Sequence, residues 1–208
     1  MPFLRGDGKA LLSREIAAFE SKTAAELVIV VEPRAGHYLH VTLAFAALTA
    51  LASLAALLYS EPAFALHWFL IDPLLLAVIV AYLASGWSAI DRALTPASRR
   101  DAWVLRAARA AFVARGVADT RGRTGVLLYV AVHERAAVLL PDIGVRRAIP
   151  EAAWARTIVP LLAAVARGEP AAAIVPHLAA LATLCSEHLP RQHDDTNELA
   201  DDIDEVNT

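Results

Sequence analysis

The sequence predicts a small mixed-sheet α/β sandwich with a two-helix transmembrane hairpin inserted after its first strand. Three observations lead there. Short, nearly all-apolar runs at 26–31 (ELVIVV), 125–132 (GVLLYVAV) and 136–140 (AAVLL) read as strands, the first two buried on both faces. Amphipathic helical stripes flank them. Two long, almost uncharged stretches separate the first strand from the others, and they hold an excess of apolarity. The 208 residues are 57% hydrophobic with a mean hydropathy of +0.48, against roughly 45–50% apolar in ordinary soluble domains.

Taken in order, residues 8–22 place Leu11, Leu12, Ile16 and Phe19 at helical spacing, with Asp7 as the capping residue. The first strand follows. Residues 41–59 then carry no formal charge, and after Ser60-Glu61-Pro62 residues 63–90 carry only Asp72. A membrane-crossing helix needs about 20 largely apolar residues, so spans at about 39–60 and 68–90 are expected, with the Glu61-Pro62 break between them. Two buried helices of a soluble core would need far more protein around them. Ala46, Ala47, Ala50 and Ser53 allow a neighbouring helix to approach closely, and Tyr59, Trp68, Tyr82 and Trp87 suit the membrane interfaces. If the second helix begins near Leu70, Asp72-Pro73 falls in its first turn, where proline and an acid both fit. Deeper in, the carboxylate would be a functional group.

Beyond the hairpin, residues 98–115 put Trp103, Val104, Ala107, Ala108, Ala111 and Phe112 on one stripe and arginines elsewhere, and Gly116 ends the helix. His133-Glu134-Arg135 is short enough for a tight hairpin turn. Helices at 151–167 and 171–188 flank Gly168-Glu169-Pro170, and Pro160 and Pro176 inside them predict kinks or displaced boundaries. The strand before the hairpin must pair with those after it. Residues 1–37 and 96–190 are therefore one discontinuous domain, and 38–91 are an insertion within it.

Charge divides the chain as well. From Gln192 onward there are seven acids and no lysine or arginine, which leaves 19 basic against 15 acidic residues before that point. Residues 191–208 thus read as an acidic disordered tail. A net charge of -3 and a pI of 6.2 argue against a nucleic-acid partner. One cysteine, Cys185, excludes a disulfide framework and a cysteine-rich zinc site, and suits a reducing compartment. The first 24 residues are amphipathic and charged, so no cleavable signal is expected. Arg34 precedes the first span, and Arg92, Arg99, Arg100, Arg106 and Arg109 follow the second, whereas the connecting loop holds only acid. The positive-inside rule then puts both termini on the cytoplasmic side of the inner membrane.

Candidate chemistry lies in the loop 115–125 (RGVADTRGRTG). Thr120, Arg121 and Arg123 among three glycines either cradle an anion or form a polar helix-to-strand connection. The loop follows a helix and opens a strand, the reverse of a P-loop. His133-Glu134-Arg135 offers acid–base groups without a second histidine at zinc-protease spacing. His37, His40 and Glu32 either bind a metal or simply sit beside the membrane. The arginines of 98–115 either hold the domain against an anionic leaflet, at about 1 kcal/mol each, or only set topology.

Residues 23–31 (TAAELVIVV) resemble the first strand of the TPM domain family, and 123–131 (RTGVLLYVA) are similar to its second. Glu134-Arg135 resembles the turn that follows, and the closing helices with Pro160 and Gly168-Glu169 are similar too. The resemblance covers about 11–189 apart from the hairpin. It is greatest to a bacterial membrane subgroup with the same hairpin and an Asn-Glu-Leu tail, here Asn197-Glu198-Leu199. It implies an α/β sandwich, with metal-dependent acid phosphatase activity in a few members and assembly or maintenance of membrane complexes in others. The glycine-rich stretch after the third strand is reduced here to Asp142-Ile143-Gly144. The expected function is therefore non-enzymatic interaction or membrane-complex assembly on the cytoplasmic face, with the lipid bilayer and a membrane protein as partners. The alternative is a metal-dependent phosphatase, with a divalent cation such as calcium on Asp119, Glu134 and Asp142.

Overall fold

In the run ELVIVV, successive side chains point to opposite sides, so a strand this apolar needs cover on both faces. The computed structural model describes residues 3–4, 6–61, 64–84, 87–191 and, as backbone, 204–205. Helix α1 (Gly8–Glu20) leads into strand β1 (Glu26–Glu32). The apolar helices α2 (Leu39–Tyr59) and α3 (Trp68–Ala84) follow, then α4 (Ser88–Leu94) and α5 (Ala97–Ala114). A single 3-10 turn (Val117–Asp119) precedes strands β2 (Gly125–Ala131) and β3 (Ala136–Pro141). Helices α6 (Ile143–Ala148), α7 (Glu151–Arg167) and α8 (Ala171–His188) come next, and a two-residue strand β4 (Asp204–Glu205) is last. The fold is mixed α/β and mostly helical. Apart from the backbone of β4, the acidic tail from Gln192 onward lies outside the described residues.

The central sheet has three strands of mixed direction, with β4 added along the outer edge of β1 beside Val30 and Val31. β1 and β2 run parallel, Glu26 opposite Gly125 and Glu32 opposite Ala131, while β2 and β3 are antiparallel. ELVIVV thus lies beside GVLLYVA, although paired residues such as Glu26 and Gly125 are about a hundred residues apart in the chain. Leu27, Ile29, Val126 and Leu128 face Phe19 of α1, Leu161 of α7 and Leu178 of α8. Val28, Val30, Leu127 and Tyr129 face Val104 and Ala108 of α5 together with Val117. Each fully buried large side chain contributes about 1.5–3 kcal/mol, so the sheet with its two helical layers is the stable part of the chain.

Several local expectations need correction. Asp7 stands at the N-cap of α1 but makes no side-chain capping bond. The turn after β2 spans four residues rather than three, because β2 ends at Ala131; Arg135 takes a left-handed conformation (φ 50°) and its N–H donates to Val132 O. The boundaries of α7 and α8 are not displaced by Pro160 and Pro176, which lie inside these helices. Each proline removes one backbone bond, and the buried Leu161 and Leu178 that follow them anchor the helices in the core.

Residues Met1–Ala35 and Asp101–Thr208 form one compact unit, and Gly36–Arg100 form another. In the second, α2 is long and apolar enough to cross a membrane, with a mean hydropathy of 2.2 and 11% of its most apolar window buried. The expected second span, 68–90, is shorter than the sequence suggests: α3 ends at Ala84 and α4 is a separate helix. Asp72 is also not in the first turn. Turns from Ala65 and His67 start α3 at Trp68, which makes Asp72 its fifth residue, and Ser53 Oγ on α2 donates to Asp72 Oδ2 at 3.4 Å.

Candidate functional site

The polar chemistry of the α/β unit collects at the two ends of its strands. At the end where β2 begins, Gly116 (φ 62°) closes α5 and the 3-10 turn leads to Thr120. Thr120 is buried, and its Oγ1 accepts from Thr124 N at 2.9 Å while its carbonyl accepts from Arg123 N. That tight turn leaves Arg123 with φ 53° and carries its carbonyl under α6, where it accepts from Gly144 N. A side chain at position 144 would collide with the carbonyls of Gly122 and Arg123, so only glycine fits there.

Asp142 joins these pieces. It caps α6 by accepting from Ile143 N at 2.7 Å, and Arg123 donates to it from Nε at 2.6 Å and from Nη2 at 3.1 Å. Burial alone would raise the Asp142 carboxyl, but the bonds from Arg123 and Ile143 outweigh it and hold the group below its ordinary range. Arg123 is correspondingly raised by Asp142. The candidate anion site is thus divided: Thr120 and Arg123 are engaged within the fold, and Arg121 lies exposed on the same loop.

At the opposite end, Glu134 is buried in the β2–β3 turn and accepts from Ala35 N through both carboxylate oxygens, at 3.2 and 3.1 Å. Nearby, the buried Tyr129 hydroxyl donates to Glu32 Oε2 at 2.5 Å. Burial, then the Glu32 bond and the charges of Glu32 and Glu134, push the phenol well above its usual range, so Tyr129 is a fixed donor rather than a proton carrier. Arg34 Nη2 lies 3.5 Å from His133 Nδ1.

The candidate metal acids are not brought together. Asp142 and Glu134 sit at opposite ends of β3, whose six residues span about 20 Å at about 3.3 Å each. Asp119 is exposed beside Gly116. Among the described residues no group of three or more His, Cys, Asp or Glu side chains could hold a metal ion, so Glu32, His37 and His40 form no such group either. His40 Nε2 instead lies 3.3 Å from Thr95 Oγ1.

Helix α6 was missed by periodicity, although Asp142 before an apolar residue is the signature of a helix start. It creates two grooves. One, of about 360 Å³, runs from Leu140 past Arg146 to Trp154. The other, of about 340 Å³, lies between α5 and α6 and includes Arg109, Phe112, Val113, Leu140, Ile143 and Arg146. Both are lined mainly by apolar side chains, with arginine among them.

No protein-family model and no curated protein matches this chain. Among solved structures, the NMR structure of the BA42 protein from the psychrophilic bacterium Bizionia argentinensis is similar. It aligns with a TM-score of 0.59 at 16% identity, over 98% of this chain and 95% of that one. The likeness is one of fold.

Proposed function

We propose that the protein is an integral membrane protein whose α2 and α3 form a transmembrane hairpin inserted in a TPM-like α/β sandwich, both termini cytoplasmic. Its role is non-enzymatic: interaction with, or assembly and maintenance of, a membrane complex. The observation that carries this reading is where apolar side chains are left open. Of 23 exposed large hydrophobic residues among those described, 20 lie within residues 36–100, among them Leu43, Leu51, Leu74 and Val78. Soluble monomers rarely expose a contiguous patch beyond a few hundred Å², and a helix apolar on every side belongs in a core or a bilayer. Asp72 is the one formally charged residue within α2 and α3, and Ser53 donates to it.

The separation of Asp142 from Glu134 favours this role over the metal-dependent phosphatase, which needs Asp119, Glu134 and Asp142 to converge. Two measurements test the reading. The protein should resist extraction from vesicles by alkaline carbonate, and a cysteine at Ser60 should react with an impermeant thiol reagent only from the outer side. Cys185 does not interfere, because burial pushes its thiol up to about 12. Release by carbonate, or labelling of Ser60→Cys from the cytoplasmic side, overturns it.

A further inference from the structure

We propose that the groove between α5 and α6 docks anionic lipid headgroups, so that the α/β unit touches the bilayer itself; this rests on the membrane reading above. The first observation is how few apolar tips that unit leaves open. Among its described residues the exposed large hydrophobics are Val113, Ile143 and Val159, and the first two flank this one groove. The second is charge. Arg109 from α5 and Arg146 from α6 reach the same groove, and neither guanidinium group has a hydrogen bond or ion pair among the described residues. The acid in its lining, Asp142, is already taken by Arg123 and Ile143 N. Two uncompensated guanidinium groups therefore stand beside two open apolar side chains.

That pairing matches the boundary of an anionic bilayer. Arginine forks bind phosphate oxygens in a bidentate manner, while apolar tips settle at the headgroup–acyl boundary. About 340 Å³ suits a headgroup rather than a whole acyl chain. An acidic protein could meet the same arginines. Lipid is favoured because a chain tethered by its own apolar unit meets headgroups at high effective concentration.

The test uses the full-length chain in nanodiscs of phosphatidylcholine, alone or mixed with phosphatidylglycerol, with a polarity-sensitive fluorophore on Ile143→Cys. A second label on Val159→Cys, outside the groove, is the control. The Ile143 label should shift to the blue only in discs containing phosphatidylglycerol, and the control should not. Arg109→Gln with Arg146→Gln should lower the ratio of docked to undocked protein about 30-fold, equivalent to about 2 kcal/mol for two arginines near an anionic surface. Arg109→Lys with Arg146→Lys should keep most of the shift. Equal spectra in the two kinds of disc, a shift indifferent to the glutamine pair, or a shift that inorganic phosphate or an acidic protein produces without phosphatidylglycerol overturns the proposal. A chain that enters the discs without the shift removes only the docking surface, whereas a chain that fails to enter them removes the membrane reading.

Discussion

Strand β1 buries six of its seven residues, whereas helix α2, equally apolar along its middle, has 11% of its most apolar window buried. Hydropathy does not separate them. Backbone hydrogen bonding does. A strand has unpaired N–H and C=O groups on each edge and must find neighbours, which brings Ile29 and Val30 into a sheet with a helical layer on either face. A helix satisfies its backbone internally and can present apolar side chains all round, provided that the surroundings are not water. The two regions therefore spend the same residue types differently: one builds a core, the other a surface.

Truncating one large side chain in each region is the strongest way to break this comparison. Phe19→Ala opens a cavity among α1, the sheet and α8, where Phe19 is 1% exposed, and should cost about 3–5 kcal/mol. Leu51→Ala, at a position 64% exposed on α2, should leave the same unfolding transition within about 0.5 kcal/mol. Urea titration of the detergent-solubilised protein, followed by the fluorescence of Trp103 and Trp154, reads both. Equal losses would mean that α2 belongs to the core after all.

How much of this was legible in the sequence follows from the range of the interactions involved. Helices α7 and α8 begin and end where the sequence suggested, because their stripes are long and Gly168-Glu169-Pro170 separates them. Helix α6 (IGVRRA) is under two turns long, too short for a period to show. The site was less legible than the fold. Tyr129 and Glu32 lie 97 residues apart, and Glu134 and Ala35 lie 99 apart, so neither pair leaves a local pattern. The glycines of the 115–125 loop fitted either an anion cradle or a polar helix-to-strand connection, and no local pattern showed that the backbone carbonyls of Gly122 and Arg123 pack against Gly144.

A smaller effect sharpens the comparison from the polar side of the α/β unit. Asp142→Ala removes the cap of α6 and should cost about 1 kcal/mol; the half-exposed Arg123 adds little to that. Asp142→Asn keeps a capping oxygen and loses the charge. Because the folded carboxyl is held below its unfolded value of about 3.9, its contribution is complete above that pH and is lost as pH falls through the lower folded value. Stability should therefore drop less steeply in acid for Asp142→Asn than for the parent. Identical acid limbs in urea titrations would show that the Arg123–Asp142 pair carries no linked proton.

The smallest effect belongs to the apolar unit, where a polar contact joins α2 to α3. Ser53 Oγ donates to Asp72 Oδ2, and Ser53 is itself buried between residues that are otherwise open. On the membrane reading proposed above, such a bond is one between membrane helices, which average about 0.6 kcal/mol because each partner finds substitutes when separated. Ser53→Ala should therefore weaken the α2–α3 pairing by about that amount and leave the urea transition of the α/β unit unmoved. Distance distributions between spin labels at Leu43 and Ile79 in lipid would read it as a modest broadening. Complete separation of the helices would instead make the Ser53–Asp72 bond their principal attachment, and the close packing of Ala77 on α3 would count for little.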